Sequence, residues 1–310
     1  MLDTDTFLAF VYVESDDFCR AAYPAAPPAP GPAPALTRSE VLTLALLATW
    51  GRWASQRDFY RYAQRRLRPA FPTLPHRSQF NRLLRRYAPA LEAFALHLAA
   101  RLQDPASLYE ILEGTALPVR NAKRRGRGWF AGQANIGYSS RIGWYEGFHL
   151  LTCVSPQGVI TGWGFAAAAT NDREMASTFF AARQTPQAAL RSVGCARGPR
   201  YLADSGFGGA VVQQQWQAAY GVQVVCPPLP HSRRTWSAAW QGWYTRHRQM
   251  VETVNDKLHN WFHLEWARLH TLSGQQARVA ATMALHNFCY WLNGQLDRPH
   301  LAFADLIDWE

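Results

Sequence analysis

The chain has 310 residues, of which 48% are hydrophobic and 17% charged, so it can bury one large or two ordinary cores and global disorder is excluded. An apolar run of about 18 residues, which a membrane-spanning helix needs, does not occur, and five scattered cysteines without a C-x-x-C pair exclude a disulfide framework and a zinc ribbon. The scattered cysteines fit a reducing compartment, so we expect a cytoplasmic protein. The formal net charge is +10 and nearly all the positive residues are arginine, which predicts a polyanionic partner.

The first hundred residues are predicted to be helical. A helix over Leu2–Cys19 ends before Pro24–Pro34, where six prolines in eleven residues exclude both helix and sheet. A capping box at Thr37–Glu40 begins an apolar helix, Ser55 caps the next one, and a further helix covers Arg77–Tyr87. The pattern therefore predicts a separate helical module at the N-terminus.

Positive charge is concentrated in three stretches that contain almost no acids. The first holds ten arginines and a single acid between Arg52 and Arg86. A lone charge run is usually solvated surface, and a GC-rich genome explains the choice of arginine over lysine, but neither explains three runs of one sign interleaved with aromatic residues. Arginine matches phosphate oxygens with two parallel donors, so we predict nucleic-acid binding, with an N-terminal module of helix-turn-helix type. The residues predicted to contact DNA are Arg61, Arg65, Arg77, Arg82, Arg85, Arg86, Arg120, Lys123, Arg124, Arg125, Arg127, Arg233, Arg234 and Arg248.

From Ser107 onwards strands and helices alternate. The predicted order strand–strand–strand–helix–strand–helix–strand–helix is that of a ribonuclease H-like α/β fold, a mixed sheet flanked by helices. A Trp- and Arg-rich insertion over 227–245 precedes two long helices, the second with a capping box at Ser273–Gln276. The predicted strands are Leu108–Leu112, Trp144–Val154, Val159–Phe165, Arg200–Asp204 and Val222–Cys226, and the predicted helices are Asp172–Arg183, Ala210–Tyr220, Arg246–Phe262 and one from the capping box to Asn293.

Three carboxylates occupy positions typical of a metal site. Glu113 ends the first predicted strand, Asp204 ends the fourth, and Glu252 lies on the helix after the fifth. Strand ends meet at one edge of an open sheet, and carboxylates there can hold two divalent ions about 3.5–4 Å apart, one for the attacking and one for the leaving oxygen. Alternatively, Asp204 could simply start a turn, and the polar face that carries Glu252 could be solvated surface. The helix Asp172–Arg183 is expected to have Asn171 or Thr170 as its cap, while Asp172 is interpreted as a cap residue and Asp256 as a surface acid.

Five segments follow one pattern in their order and spacing. ILEGTALPVR (Ile111–Arg120), YLADSGF (Tyr201–Phe207) and the stretch Arg248–Asn287 each contain one of the three acids, Trp144–Met175 forms a central hairpin, and Leu74–Arg86 is the basic N-terminal segment. Together they resemble the bacterial insertion-sequence transposases of the DDE class, whose catalytic core is ribonuclease H-like. The resemblance covers nearly the whole chain.

The resemblance implies a DNA transposase that binds the terminal inverted repeats of its insertion sequence and catalyses strand cleavage and strand transfer. It implies that Glu113, Asp204 and Glu252 are catalytic metal ligands, that Mg²⁺ is the cofactor with Mn²⁺ as a substitute, and that double-stranded DNA, as transposon ends and as target, is the partner. Action on two ends favours a homodimer. On this basis residues 1–103 are the helical DNA-binding region, with a proline-rich break at 24–35, residues 104–297 are the catalytic domain and residues 298–310 are a C-terminal tail.

Three departures from the family pattern leave the activity open. Glu113 stands where the family has Asp, Tyr244 is one residue out of step with the Tyr–Arg–Glu–Lys signature, and His259 stands where Lys is expected. Two alternatives therefore remain: a domesticated or decayed transposase that only binds DNA, and a divalent-metal nuclease without a strand-transfer step.

Overall fold

A computed structural model describes residues 1–24, 34–121, 130–184, 194–195, 198–228, 232, 235–266 and 269–309. The chain divides into two compact units, one of Met1–Leu98 with Leu258–Glu310 and one of Ala99–Lys257. Across the described stretches no helix has both the length and the apolar character needed to cross a membrane. Most of the predicted proline-rich break and the basic stretch Lys123–Arg127 lie outside the described residues.

Helices and strands are numbered separately in chain order, and short π-helical turns at Ala63–Leu67 and Lys257–Trp261 follow α3 and α8. The elements are β1 (Leu2–Asp3), α1 (Thr4–Ala22), α2 (Arg38–Thr49), α3 (Gln56–Tyr62), α4 (Arg77–Arg86), α5 (Ala88–Leu102), β2 (Glu110–Asn121), β3 (Asn135–Ser139), β4 (Gly143–Val154), β5 (Ile160–Ala167), α6 (Asp172–Arg183), β6 (Gly194–Cys195), β7 (Gly198–Ala203), α7 (Ala210–Tyr220), β8 (Gln223–Val225), α8 (Ala238–Asp256), α9 (Leu272–Gln295) and β9 (Ile307–Asp308).

The N-terminal helices form where their capping residues predict. Thr37 and Glu40 make the predicted capping box at the start of α2, and the Ser55 side chain accepts a hydrogen bond from the backbone of α3. In α4 the apolar side chains, with Phe80 fully buried, lie on one side, and the arginines lie on the exposed side. Local capping and helical periodicity therefore determine this part of the fold.

The last long helix, α9, belongs to the first unit, whereas the sequence analysis placed it in the catalytic domain. Its N-cap is Thr271, whose hydroxyl accepts a hydrogen bond from the backbone N–H of Gly274 at 3.2 Å, so the predicted capping box at Ser273 is wrong. Asn287 donates to the carbonyl of Ala95 at 3.1 Å from a fully buried position. Because α9 is buried on most of its circumference, it needs helices around it rather than one sheet face. The C-terminal segment also joins this unit, since β9 pairs with β1.

The second unit is built on a mixed sheet in the order β5–β4–β2–β7–β8. The pairs β2–β4 and β4–β5 are antiparallel, and the pairs β2–β7 and β7–β8 are parallel. β3 pairs with the first part of β4, and β6 pairs with β7; both pairs are antiparallel. The predicted mixed sheet with flanking helices is thus confirmed, as are helices α6 and α7 with the predicted bounds.

Two predicted boundaries are wrong. The first strand does not end before Glu113: β2 runs on to Asn121, because its second half pairs with β4 in a long antiparallel ladder. The insertion over 227–245 is helical in its second half, because α8 begins at Ala238 behind an N-cap at Ser237. Its tryptophans are spaced so that they stack along the helix, Trp240 on Trp243 with ring centroids 4.8 Å apart.

Along each strand, successive side chains point to opposite faces of the sheet, and helices pack on both faces. Leu112 of β2 and Leu151 of β4 face α6 and α7 and belong to the main core cluster of this unit. The next residues point the other way: Glu113 contacts α8, and the Thr152 hydroxyl donates to the Asn255 side chain of α8 at 3.1 Å. The two faces of β2 therefore present different chemistry to the helices on either side.

Candidate active site

Glu113 and Asp204 lie side by side because of the strand register. β2 and β7 run parallel, and Leu112 is paired with Ala203, the last residue of β7. Glu113 follows Leu112, and Asp204 follows Ala203. The two acids therefore lie at the same level on neighbouring strands. Asp204 also begins a turn, as the sequence alternative predicted, since its Oδ1 accepts a hydrogen bond from the Gly206 N–H at 2.8 Å. The two interpretations of Asp204 are compatible.

Helix α8 brings Arg248 and Glu252 to the same edge of the sheet. It packs against β2, β4 and β7 with Val251 and Val254 fully buried. One helical turn separates Arg248 from Glu252, so both side chains lie on one stripe of the helix. The Arg248 guanidinium forms an ion pair with Glu113 through one nitrogen and contacts Glu252 at 2.9 Å through another. Arg248, predicted to bind DNA, is therefore engaged by two of the three predicted ligands.

The carboxyl group of Glu113 lies in a strongly perturbing environment. Burial raises its pKa to about 7; the Arg248 guanidinium lowers it, and the charges of Asp204 and Glu252 raise it. The side chain of Glu113 is 16% exposed, whereas that of Glu252 is 57% exposed. Crowded carboxylates of this kind are costly without a cation, and Arg248 supplies part of the positive charge they need.

The three acids suit a hard divalent cation in their chemistry. Mg²⁺ prefers carboxylate oxygens and needs few protein ligands, because it retains water and accepts phosphate oxygens. In the described part of the chain, however, no three His, Cys, Asp or Glu side chains are already grouped as a metal site. The Arg248 guanidinium binds Glu113 and Glu252 at once. Glu113 and Asp204 are the neighbouring pair, and Glu252 shares Arg248 with Glu113.

Asp172 and His149 lie close to Glu113 and Asp204 on the face of the sheet that packs against α6. The sequence analysis did not predict that these two residues belong to the site. Asn171 is the N-cap of α6, which confirms the predicted cap, whereas the interpretation of Asp172 as a cap residue is wrong. Asp172 contacts His149 instead. Its Oδ1 is 3.2 Å from Nε2 of His149 on β4. A Cβ on Gly114 would lie 2.3 Å from that oxygen, and one on Gly206 would lie 2.6 Å from the other. The adjacent residues Asn171 and Asp172 were the available signal, because a helix has one N-cap residue and a cap at Asn171 leaves the Asp172 carboxylate for another role.

Two of the departures from the family signature have structural explanations. The Tyr244 hydroxyl is buried and donates to the carbonyl of Ala203 at 2.5 Å, so this tyrosine supports the residue that precedes Asp204. His259 belongs to the first unit, where its Nδ1 is 2.9 Å from the carboxylate of Glu265. His259 is therefore engaged within the helical unit.

The predicted DNA-contacting arginines of the N-terminal module are exposed. They are carried by α3, by the π-helical turn after it and by α4, whose apolar sides are buried. This exposure is compatible with phosphate binding, which stays a prediction. The exposed residues are Arg61, Arg65, Arg77, Arg82, Arg85 and Arg86. Lys123, Arg124, Arg125, Arg127, Arg233 and Arg234 lie outside the described residues, as does the side chain of Arg120 in β2.

Comparison with known proteins adds one finding to this geometry. Neither a curated protein nor a solved structure matches the chain. A sequence profile described as "Transposase DDE domain" matches residues 111–288, more than half of the chain, and this range includes Glu113, Asp204 and Glu252. The mixed sheet, the acids at its edge and the extent of this match agree: the chain belongs to the transposase DDE domain family.

Proposed function

We propose that this chain is an active DNA transposase of the bacterial nucleoid. It binds the terminal inverted repeats of its insertion sequence as a homodimer and catalyses strand cleavage and strand transfer with Mg²⁺. Glu113, Asp204 and Glu252 are its catalytic carboxylates. The family match supports the general class of activity, and the geometry around Glu113 supports the choice of residues.

The observation that carries the proposal is the proximity of Glu113 to Asp204. These acids follow the paired residues Leu112 and Ala203 of β2 and β7. Two neighbouring acids, one within a strand and one just after a strand end, are unfavourable for the folded chain by themselves, and burial raises the pKa of Glu113 to about 7. Such an arrangement is typical of functional sites, which hold the groups needed for catalysis even where these groups lower the stability of the fold.

Each residue has a distinct part in the proposed mechanism. Glu113 and Asp204 supply hard oxygen ligands, and Glu252, on the adjacent helix, supplies the third carboxylate. Held by these three carboxylates, Mg²⁺ would supply Lewis-acid chemistry for the cleavage and strand-transfer steps, by making an attacking oxygen more nucleophilic and stabilising a leaving oxygen. Arg248 orients Glu113 and Glu252 in the free protein through its two contacts. Tyr244 holds the end of β7 through the carbonyl of Ala203.

DNA binding is assigned to the exposed arginines of the N-terminal module. α4 has Phe80, Leu83 and Leu84 buried and its arginines on the outer side. A helix with this division of faces can rest on the protein through one side and on a phosphate backbone through the other. These contacts position the duplex, while sequence recognition requires contacts to the bases.

A chain that binds DNA without cutting it is the second candidate, and one observation favours it. Arg248 already forms ion pairs with both Glu113 and Glu252, so these acids can serve as an ion-pair network that stabilises the fold. Glutamate at position 113, one methylene longer than aspartate, agrees with a site released from catalysis.

A cleavage assay on the element's own ends with Mg²⁺ decides between the two. We expect the wild-type chain to cut and Glu113→Gln to be inactive, because the amide is a much weaker ligand than the carboxylate. Glu174→Gln, an exposed acid on α6, is the matched control and should cut like wild type. If the wild type is inert and Glu113→Asp cuts, the chain is a lapsed transposase. If neither cuts although both bind the ends, cleavage by this site is refuted.

A further inference from the structure

A histidine–aspartate pair lies behind the site, on the face of the sheet that points toward α6. His149 has an oxygen within contact distance of each ring nitrogen: the Thr170 carbonyl is 2.9 Å from Nδ1, and the Asp172 carboxylate is 3.2 Å from Nε2. A neutral imidazole has a single N–H and would point a lone pair at one of these oxygens. The contact between Nε2 and the Asp172 carboxylate is an ion pair when the ring is protonated. Burial alone lowers the pKa of His149, but Asp172 and the Thr170 carbonyl outweigh burial and raise it.

His149 holds one oxygen of Asp172, and this orients the other oxygen toward the turn that carries Asp204. Asp172 Oδ2 and Asp204 Oδ1 lie 2.6 Å and 3.0 Å from the point that a Cβ on Gly206 would occupy. The two carboxylates are therefore neighbours across a residue without a side chain. Gly114, the residue after Glu113, provides the same clearance on β2, where a Cβ would lie 2.3 Å from Asp172 Oδ1 and 2.5 Å from His149 Nε2.

The start of α6 also holds the Gly206 backbone. Arg173 donates from Nε to the Gly206 carbonyl at 3.2 Å, and the Gly206 N–H donates to Asp204 Oδ1 at 2.8 Å. Gly206 is thus bound at its carbonyl by α6 and at its N–H by Asp204, with Asp172 against its α-carbon. The start of α6 and the Asp204 carboxylate are therefore both in contact with this single residue.

We propose that Asp172, oriented by His149, is a positioning residue for Asp204 in the divalent-metal site. Its carboxylate holds the Asp204–Gly206 turn from the α6 side, and a fixed Asp204 carboxylate strengthens cation binding there. The inference rests on the proposed function, since it assumes that Asp204 is a metal ligand. Groups that orient a ligand in this way typically change metal affinity by about 10–100-fold when they are removed.

The test is Mn²⁺ binding to the full-length protein, measured by isothermal titration calorimetry without DNA. Asp172→Asn keeps the size of the side chain and removes its charge, and Glu174→Gln removes a charge from the same turn of α6 at an exposed position. We expect Asp172→Asn to weaken Mn²⁺ binding by about tenfold or more and Glu174→Gln to bind like wild type. Equal affinities of the two variants would overturn the assignment of Asp172.

Two further variants separate the inference from its alternatives. Asp204→Asn tests the metal site itself: wild-type Mn²⁺ affinity in this variant would refute the proposed function, whereas loss of binding here with normal binding in Asp172→Asn would refute the positioning role alone. Gly206→Ala keeps every charge but inserts a methyl group between the two carboxylates, and it should weaken Mn²⁺ binding as Asp172→Asn does. If Asp172→Asn unfolds, Gly206→Ala still decides, because unchanged affinity in that variant contradicts the proposal.

Discussion

Replacing Glu113 with Gln should stabilise the metal-free protein at neutral pH and abolish its cleavage activity. The folded protein raises the pKa of this carboxyl from 4.5 to about 7, so folding favours its protonated form. The protonated Glu113 carboxyl therefore contributes to the free energy of unfolding. This contribution is complete below pH 4.5 and is lost as the pH rises to about 7. At about 1.4 kcal/mol per pKa unit, the wild type loses about 3 kcal/mol over this window. Glutamine has no proton to lose, so the variant keeps this free energy.

The measurement is urea unfolding in EDTA at pH 5 and pH 8, for wild type and Glu113→Gln. We expect the free energy of unfolding of the variant, relative to wild type, to be larger at pH 8 than at pH 5 by up to about 3 kcal/mol. Glu252→Gln is the control, because a side chain that is 57% exposed has little burial cost to relieve. A difference for Glu113→Gln that does not change with pH would refute the reasoning, since it would mean that Glu113 ionises as freely in the folded chain as in the unfolded one.

Three further predictions concern other parts of the chain. Glu110→Gln should destabilise the second unit by about 3–5 kcal/mol in urea unfolding, because it leaves the buried Arg183, 2.5 Å from Glu110, without its countercharge; a loss below about 1 kcal/mol would contradict this. Gly114→Ala should reduce Mg²⁺-dependent cleavage by about a hundredfold, because its Cβ displaces Asp172 and His149, while Gly164→Ala, which has open space around it, should cut normally. Replacing Arg82, Arg85 and Arg86 together with Ala should flatten the salt dependence of DNA binding, by up to about 2.7 log units per log unit of salt for three lost phosphate contacts; an unchanged slope would remove α4 from the interface.

Local signals in the sequence were sufficient for much of the architecture. Helix α6 and helix α7 have the predicted bounds, because capping residues and periodicity act within a few residues of where they stand. The strand β4 was predicted within one residue, since its run of apolar residues is bounded by glycine and a turn. The family resemblance also came from short segments, and the family match over residues 111–288 confirms it.

Tertiary structure decided which residues meet. Glu113 was expected at the end of a strand, but it lies within β2 and reaches Asp204 because β7 ends beside it. The pairing of Arg248 with Glu113 joins residues 135 positions apart, and no local pattern specifies such a contact. The same holds for His149 and Asp172, which come together only because β4 and α6 pack on one face of the sheet. A single sequence specifies each element through interactions over a few residues, whereas a site is assembled from strand register and helix packing, which depend on the whole fold.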